Sequence, residues 1–248
     1  MAADCRSGAS SFEERDMNVD EYDVNRLRGV RMRFQTLDFG DLDYHLRGLR
    51  DTQQCAEAIS ELERFGISSA TWPLFGVLWR SEELLSHLML TEDLGSKRIL
   101  EIGCGLALAS LVLKRRGADI TATDYHPDAG QFLDFNADLN GIDRISFKRV
   151  SWHAPDASLG HFDLVVGSDL LYDRHNLEPL VHFLDSYVGQ NGEIVLVDPG
   201  RGMTGKCTRL LQNLGFNVQT SSEMYASSDG NTANYWIMRF SRSAESVY

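Results

Sequence analysis

Between Arg98 and Asp124 the chain reads RILEIGCGLALASLVLKRRGADITATD, and no other stretch constrains the fold as tightly. Ile99-Leu100-Glu101-Ile102 has the length and content of a buried strand. Gly103-Cys104-Gly105 follows directly, and Leu106 to Arg116 then carries apolar residues at helical spacing. Gly117 stands where a helix C′ glycine belongs, Ala118 to Thr123 forms a second strand, and Asp124 sits at its tip. Strand, glycine turn, helix, strand and terminal acid make a nucleotide-binding βαβ unit. The glycines let the backbone approach a ligand with no Cβ in the way, and the acid is placed to bond a pair of ribose hydroxyls.

The detail of the loop separates two kinds of cofactor. A dinucleotide fingerprint asks for a third glycine at the sixth position, where this chain has Leu108. Glu101, just ahead of the glycines, would repel an anionic pyrophosphate. The same carboxylate suits the ammonium and sulfonium of S-adenosylmethionine. At this E-x-G-x-G loop the chain resembles the class I S-adenosylmethionine-dependent methyltransferases. The resemblance implies cofactor contacts for Glu101, Gly103, Cys104, Gly105, Asp124, Tyr125 and Ser168, with S-adenosylhomocysteine as product. Ala107 stands where many members carry a third glycine, and a helical conformation is expected for it.

The chain's 248 residues suffice for one domain with an extension. Residues 1–25 read as a loosely ordered acidic tail and 26–70 as a hairpin and helix extension, leaving 71–248 for the cofactor domain. Val30–Leu37 and Leu42–Leu49 alternate at period two around Asp38-Phe39-Gly40-Asp41, which predicts a hairpin. Gln53 to Phe65 reads as a helix closed by Gly66, and Leu74 to Leu90 as another with Pro73 in its first turn. Trp72 is either a core tryptophan or, by the resemblance, a wall of the cofactor pocket. Ala129 to Asn140 predicts a further helix, and Ile145 to Val150 a third strand ending at Ser151-Trp152. Trp152 either stacks near an adenine or packs in the core.

Phe162 to Gly167 is a fourth apolar strand, followed by a helix through Val188 and a fifth strand, Glu193 to Val197. A helix over Lys206 to Leu214 and strands at Phe216–Thr220 and Asn234–Phe240 complete the series. The fold class is α/β: a Rossmann-like, seven-stranded, mostly parallel sheet with helices on both faces and the N-terminal extension. That its last strand runs antiparallel, at the edge, is implied by the resemblance alone.

The end of the fourth strand carries the second motif, Ser168-Asp169-Leu170-Leu171-Tyr172. Asp169 and Tyr172 are three apart and would share one side of a helical turn. Asp169 is equally a good helix N-cap, a role that leaves one carboxylate oxygen free. The motif lacks the Pro-Pro of enzymes that methylate adenine and amide nitrogens. It looks like the D-x-x-Y motif of the family 16 methyltransferases, many of which modify protein lysines. With Trp72-Pro73, the glycine loop, Asp124, Trp152 and Asp198 to Arg201, the resemblance covers about residues 70–220. With Gly66-Ile67-Ser68-Ser69 ahead of the tryptophan, the chain looks most like bacterial members of that group. It implies catalytic roles for Asp169 and Tyr172, with Asp169 orienting an amine and Asp169→Ala keeping cofactor binding while losing transfer.

Composition narrows the partners. A net charge of −12 disfavours a nucleic-acid backbone, and no apolar run of membrane-spanning length occurs. The N-terminus lacks the apolar core of a signal peptide, and four scattered cysteines with no paired spacing read as reduced thiols in the cytoplasm. Neither they nor the seven histidines make a metal site by spacing. The expectation is therefore a cytoplasmic, monomeric methyltransferase with a protein substrate, lysine favoured. A small-molecule N- or O-methyltransferase and a cofactor-binding module without turnover remain alternatives on the same fold. A nicotinamide oxidoreductase fits poorly, given Glu101 and Leu108.

Overall fold

The computed structural model describes residues 29–52, 67–68, 71–154 and 156–242. The expected tail over 1–25 and helix over 53–65 lie outside the described residues.

The period-two stretches form a hairpin, β1 (Met32–Asp38) with β2 (Asp43–Leu49), in antiparallel register from Met32↔Leu49 to Asp38↔Asp43. A 3-10 turn, Trp72–Gly76, leads to α1 (Arg80–Thr91). There follow β3 (Arg98–Ile102), α2 (Leu108–Arg115), β4 (Asp119–Asp124), α3 (Ala129–Leu139) and β5 (Ser146–Arg149). The chain closes with β6 (Phe162–Ser168), α4 (Leu177–Tyr187), β7 (Val188–Asp198), α5 (Thr204–Asn213), β8 (Phe216–Ala226) and β9 (Thr232–Arg242).

Seven strands make one sheet in the order β5-β4-β3-β6-β7-β9-β8. Pairing is parallel from β5 through β7, while β9 runs antiparallel to both β7 and β8. The antiparallel strand is the last in sequence but lies one place in from the edge, a correction to the expected antiparallel edge. Three strands also run longer than the sequence reading has them. β7 starts five residues before Glu193, and β8 and β9 are eleven residues each because the hairpin is paired along its whole length.

The helix expected over 74–90 is broken. Trp79 is extended (φ −89°, ψ 142°) and α1 begins only at Arg80. A Cβ on Gly76 would lie 2.4 Å from Leu49 Cγ, so the chain passes the hairpin backbone-first. Trp79 Nε1 then ties the break by donating to the Leu74 carbonyl at 2.9 Å.

Alternation along the central strands divides the core. Ile99, Leu164 and Val166 pack with α1, α2 and α3 on one face, and Leu100, Ile102 and Val165 pack with α4 and α5 on the other. The N-terminal hairpin belongs to the first of these cores, through Leu37, Tyr44, Leu46 and Leu49. The outer edge of β2 is met by side chains instead of a third strand. Asn136 Oδ1 accepts from Arg47 N–H at 2.7 Å and Asn140 Oδ1 from His45 N–H at 2.8 Å. Their Nδ2 groups donate to the carbonyls of Arg47 and His45. Two amides one helical turn apart thus imitate a strand partner.

Candidate functional site

A cavity of about 620 Å³ opens at the C-terminal ends of β3, β4 and β6, the place where an open α/β sheet binds its ligand. Gly103, Cys104, Gly105, Asp124, Tyr125, Trp152, Ser168, Asp169 and Tyr172 all line it. Nine of the eleven residues singled out from the sequence therefore meet in one place.

The glycine turn needs its glycines. Gly103 has φ +61°, and a Cβ there would sit 2.6 Å from Leu170 Cδ2. Gly105 has φ +52°, and a Cβ would press on the Phe75 carbonyl oxygen at 3.0 Å. Ala107 corrects an expectation: it is left-handed (φ 60°, ψ 38°), not helical, and α2 starts one residue later. The turn needs a third positive φ, and an alanine supplies it at a conformational cost.

Asp124 is fixed by the backbone around it. Its Oδ2 accepts from Gly105 N–H at 2.9 Å and its Oδ1 from His126 N–H at 2.7 Å. Burial raises its pKa above the ordinary aspartate value, and those N–H donors pull the other way. Beside it the His126 ring stacks on Phe75, centroids 3.8 Å apart and 9° between planes. The Cys104 thiol is held well above its ordinary pKa, first by burial and then by the carboxylates of Asp124, Glu101 and Glu82.

Asp169 departs from both sequence readings. Its φ is +52°, so it neither shares a helical turn with Tyr172 nor caps a helix. Both carboxylate oxygens are taken by Arg201, whose Nε and Nη2 donate at 2.8 and 2.9 Å. The Arg201 guanidinium also lies over the Trp79 ring, 5.8 Å from its centroid. Tyr172 stands on the rim with 53% of its surface exposed.

Two expected contacts are not at the cavity wall. Trp72 is fully buried and packs edge-on against Phe75 and His126. Glu101 shares a strand face with Ile99 and points under α1 and α2, fully buried. Its Oε2 accepts from the backbone N–H of Ser110 at 2.9 Å and from the Ser110 hydroxyl.

Trp79, Glu82 and Arg201 line the cavity, and the sequence reading assigned none of them a role. Glu82 had a signal: with Leu85 and Met89 it is an acid on the apolar face of α1. Its Oε2 accepts from the Ser168 hydroxyl at 2.7 Å and its Oε1 from Ala109 N–H at 2.8 Å. Trp79 was hidden in the expected helix, which starts only after it, and Arg201 is brought to Asp169 only by the pairing of β6 with β7.

A family model described as lysine methyltransferase matches residues 59–205. The electron transfer flavoprotein beta subunit lysine methyltransferase of Mus musculus is 31% identical over 133 residues, 52% of this chain and 51% of that protein. The protein N-lysine methyltransferase METTL21A of Danio rerio is 28% identical over 142 residues, 54% of this chain and 62% of that protein. The chain thus spans about half the length of the first of these relatives. Among solved structures, an S-adenosylmethionine-dependent methyltransferase of Methanosarcina mazei superposes with a TM-score of 0.53. It is 18% identical and covers 64% of this chain and 97% of its own, which shows a shared fold.

Proposed function

The chain belongs to the lysine methyltransferase family, and from that premise we propose that it uses S-adenosylmethionine to methylate a lysine side chain of a protein. The observation that carries the reading is the convergence of a glycine cradle, Asp124 and Asp169 on one cavity. A nucleoside fits this arrangement. The cradle has no room for a Cβ at Gly103 or Gly105, and Asp124 is held by two backbone N–H groups. Trp152 and Tyr125 offer aromatic surface on the same side.

Gly103, Cys104, Gly105, Asp124, Tyr125, Trp152 and Ser168 would hold the cofactor, with S-adenosylhomocysteine as product. When bound, it supplies a methyl on a sulfonium sulfur, already a good leaving group. The protein's work is then alignment and exclusion of water. A lysine amine has to arrive neutral, against an unperturbed pKa of about 10.4. An isolated carboxylate would favour the ammonium form. Asp169 is not isolated: Arg201 holds both its oxygens, so the pair presents an oriented acceptor with little net charge. Tyr172, on the rim, would wall the incoming side chain.

The reading includes a protein substrate in place of nucleic acid, consistent with the net charge of −12. It also includes a cytoplasmic, monomeric enzyme, to be checked by fractionation and by solution mass. No helix among the described residues is long and apolar enough to cross a membrane.

The first test is calorimetric titration with S-adenosylmethionine, S-adenosylhomocysteine and NAD, followed by radiolabel transfer to lysate proteins. Micromolar binding of the sulfur cofactors without NAD supports the reading, and binding of none would end it. Because residue 169 is left-handed, Asp169→Asn is the cleaner variant than Asp169→Ala: asparagine tolerates that backbone. It is expected to bind cofactor as wild type and lose transfer by about 10²-fold or more. Transfer at the wild-type rate would remove Asp169 from the mechanism.

A further inference from the structure

The cofactor reading leaves one feature of the cavity unexplained, a second acid directly behind its wall. Glu82 and Glu101 come from different elements, yet both end at the first turn of α2. Glu82 accepts from Ala109 N–H and Glu101 from Ser110 N–H, at 2.8 and 2.9 Å. Consecutive amides of one helix N-terminus thus hold two carboxyl groups side by side, and the two side chains meet. Glu101 is 0% exposed and Glu82 5%. Every oxygen has a donor except Glu101 Oε1, which has none.

Among the described residues no cation balances the pair. From α1 the neighbouring Glu83 turns away to Ser228, and Arg80 turns to Asp229. α2 offers the Ser110 hydroxyl and β6 the Ser168 hydroxyl. The loop after β3 offers the protonated Cys104 thiol, while β7 and β9 bring Val195, Val197 and Ile237 to this core. Among the described residues neither Glu82 nor Glu101 has an ion-pair partner. Two carboxylates in contact in such a site cannot both ionise. The orphaned Oε1 is where the missing hydrogen belongs: an O–H there donates to Glu82 and completes the set of bonds.

We infer that the Glu82–Glu101 pair stores one proton and releases it to solvent when the ammonium end of the cofactor enters the cavity beside Ser168. This rests on the cofactor reading above and deepens it. Glu82 is the member of the pair on the cavity wall, so an arriving cation meets a shared charge that becomes a full second negative charge once the O–H bond breaks. Burial raises the pKa of both groups, most for Glu101, so the pair holds its proton to higher pH than an exposed carboxyl would. The amino-acid end of the ligand is then recognised by its charge, and recognition is linked to pH.

The experiment is calorimetry in phosphate and in Tris, buffers of very different ionisation enthalpy. At about pH 6.5 the ligand's α-amino group, ordinary pKa about 7.7–8.0, arrives charged. S-adenosylmethionine and S-adenosylhomocysteine should each release about one proton, and affinity should rise by up to about tenfold per pH unit below the pair's pKa. Methylthioadenosine, which keeps the nucleoside and lacks the ammonium, should release none. Glu101→Gln should bind with no linked proton, and Glu82→Gln serves if that variant does not fold. Equal observed enthalpies in the two buffers and a flat pH dependence in the wild-type protein would overturn the inference while leaving the cofactor reading intact. So would undiminished release in the folded Gln variant. If neither sulfur ligand binds the wild-type protein, the cofactor reading itself has failed and the inference falls with it.

Discussion

Asp128 is fully buried at the start of α3, and neither of its carboxylate oxygens has a hydrogen-bond donor. Burial pushes its pKa from 3.8 up to about 7. A carboxyl raised in the folded state contributes fully below the unfolded pKa and loses that contribution as pH climbs. The window here runs from 3.8 to about 7, at about 1.4 kcal/mol per pH unit. Asp128→Asn should therefore flatten the stability profile across that window. It should be about 2–4 kcal/mol more stable than wild type at about pH 8 and no more stable at about pH 4, by urea denaturation. A parallel pH slope in the variant would show that the acid is ionised at little cost. Which residues reach the cavity was legible where a strand tip dictates position, as for Asp124, Trp152, Ser168 and Asp169. Glu101 was not: its place beside the glycines said what it could attract, while its strand parity with Ile99 sends it under the helices.

At the scale of elements, the turn between β3 and α2 stores conformational strain at Ala107 (φ 60°). A left-handed alanine costs about 1–2 kcal/mol, and its buried methyl contributes about 0.8 kcal/mol. The two nearly cancel, so Ala107→Gly should change stability by less than about 1 kcal/mol. Ala109→Gly, two residues into the helix, lacks the offset and should cost about 2 kcal/mol. Equal losses at both positions, by denaturant midpoint, would mean that the turn relaxes without help from glycine. Element order and type were readable because the strands are short apolar runs and the helices keep their period. The break between Gly76 and Arg80 was not, because its cause is the contact of Gly76 with Leu49, a neighbour 27 positions away in sequence.

For the whole molecule, the N-terminal hairpin is part of the main core and not a flap upon it. Leu46 and Tyr44 are fully buried there, and Asn136 and Asn140 clamp the outer strand to α3. Asn136→Ala would leave the Arg47 N–H and C=O without partners and should cost about 2–3 kcal/mol. The amides of β1 and β2 should also exchange hydrogen with the same protection as those of β3, reporting one cooperative unit. Exchange many orders faster in the hairpin would identify it as an independently opening piece. Alternation predicted this hairpin, but nothing local in the sequence of β2 says that a helix 90 residues later supplies its missing partner. That choice of partner also sets a clock. Asn140 precedes Gly141, the neighbour least able to shield a side-chain amide from attack by the following backbone nitrogen. Loss of ammonia there, followed by water opening the cyclic imide, would turn the group facing the His45 carbonyl from a donor into an acceptor, so a preparation of this protein ages at the joint that holds its N-terminal strands.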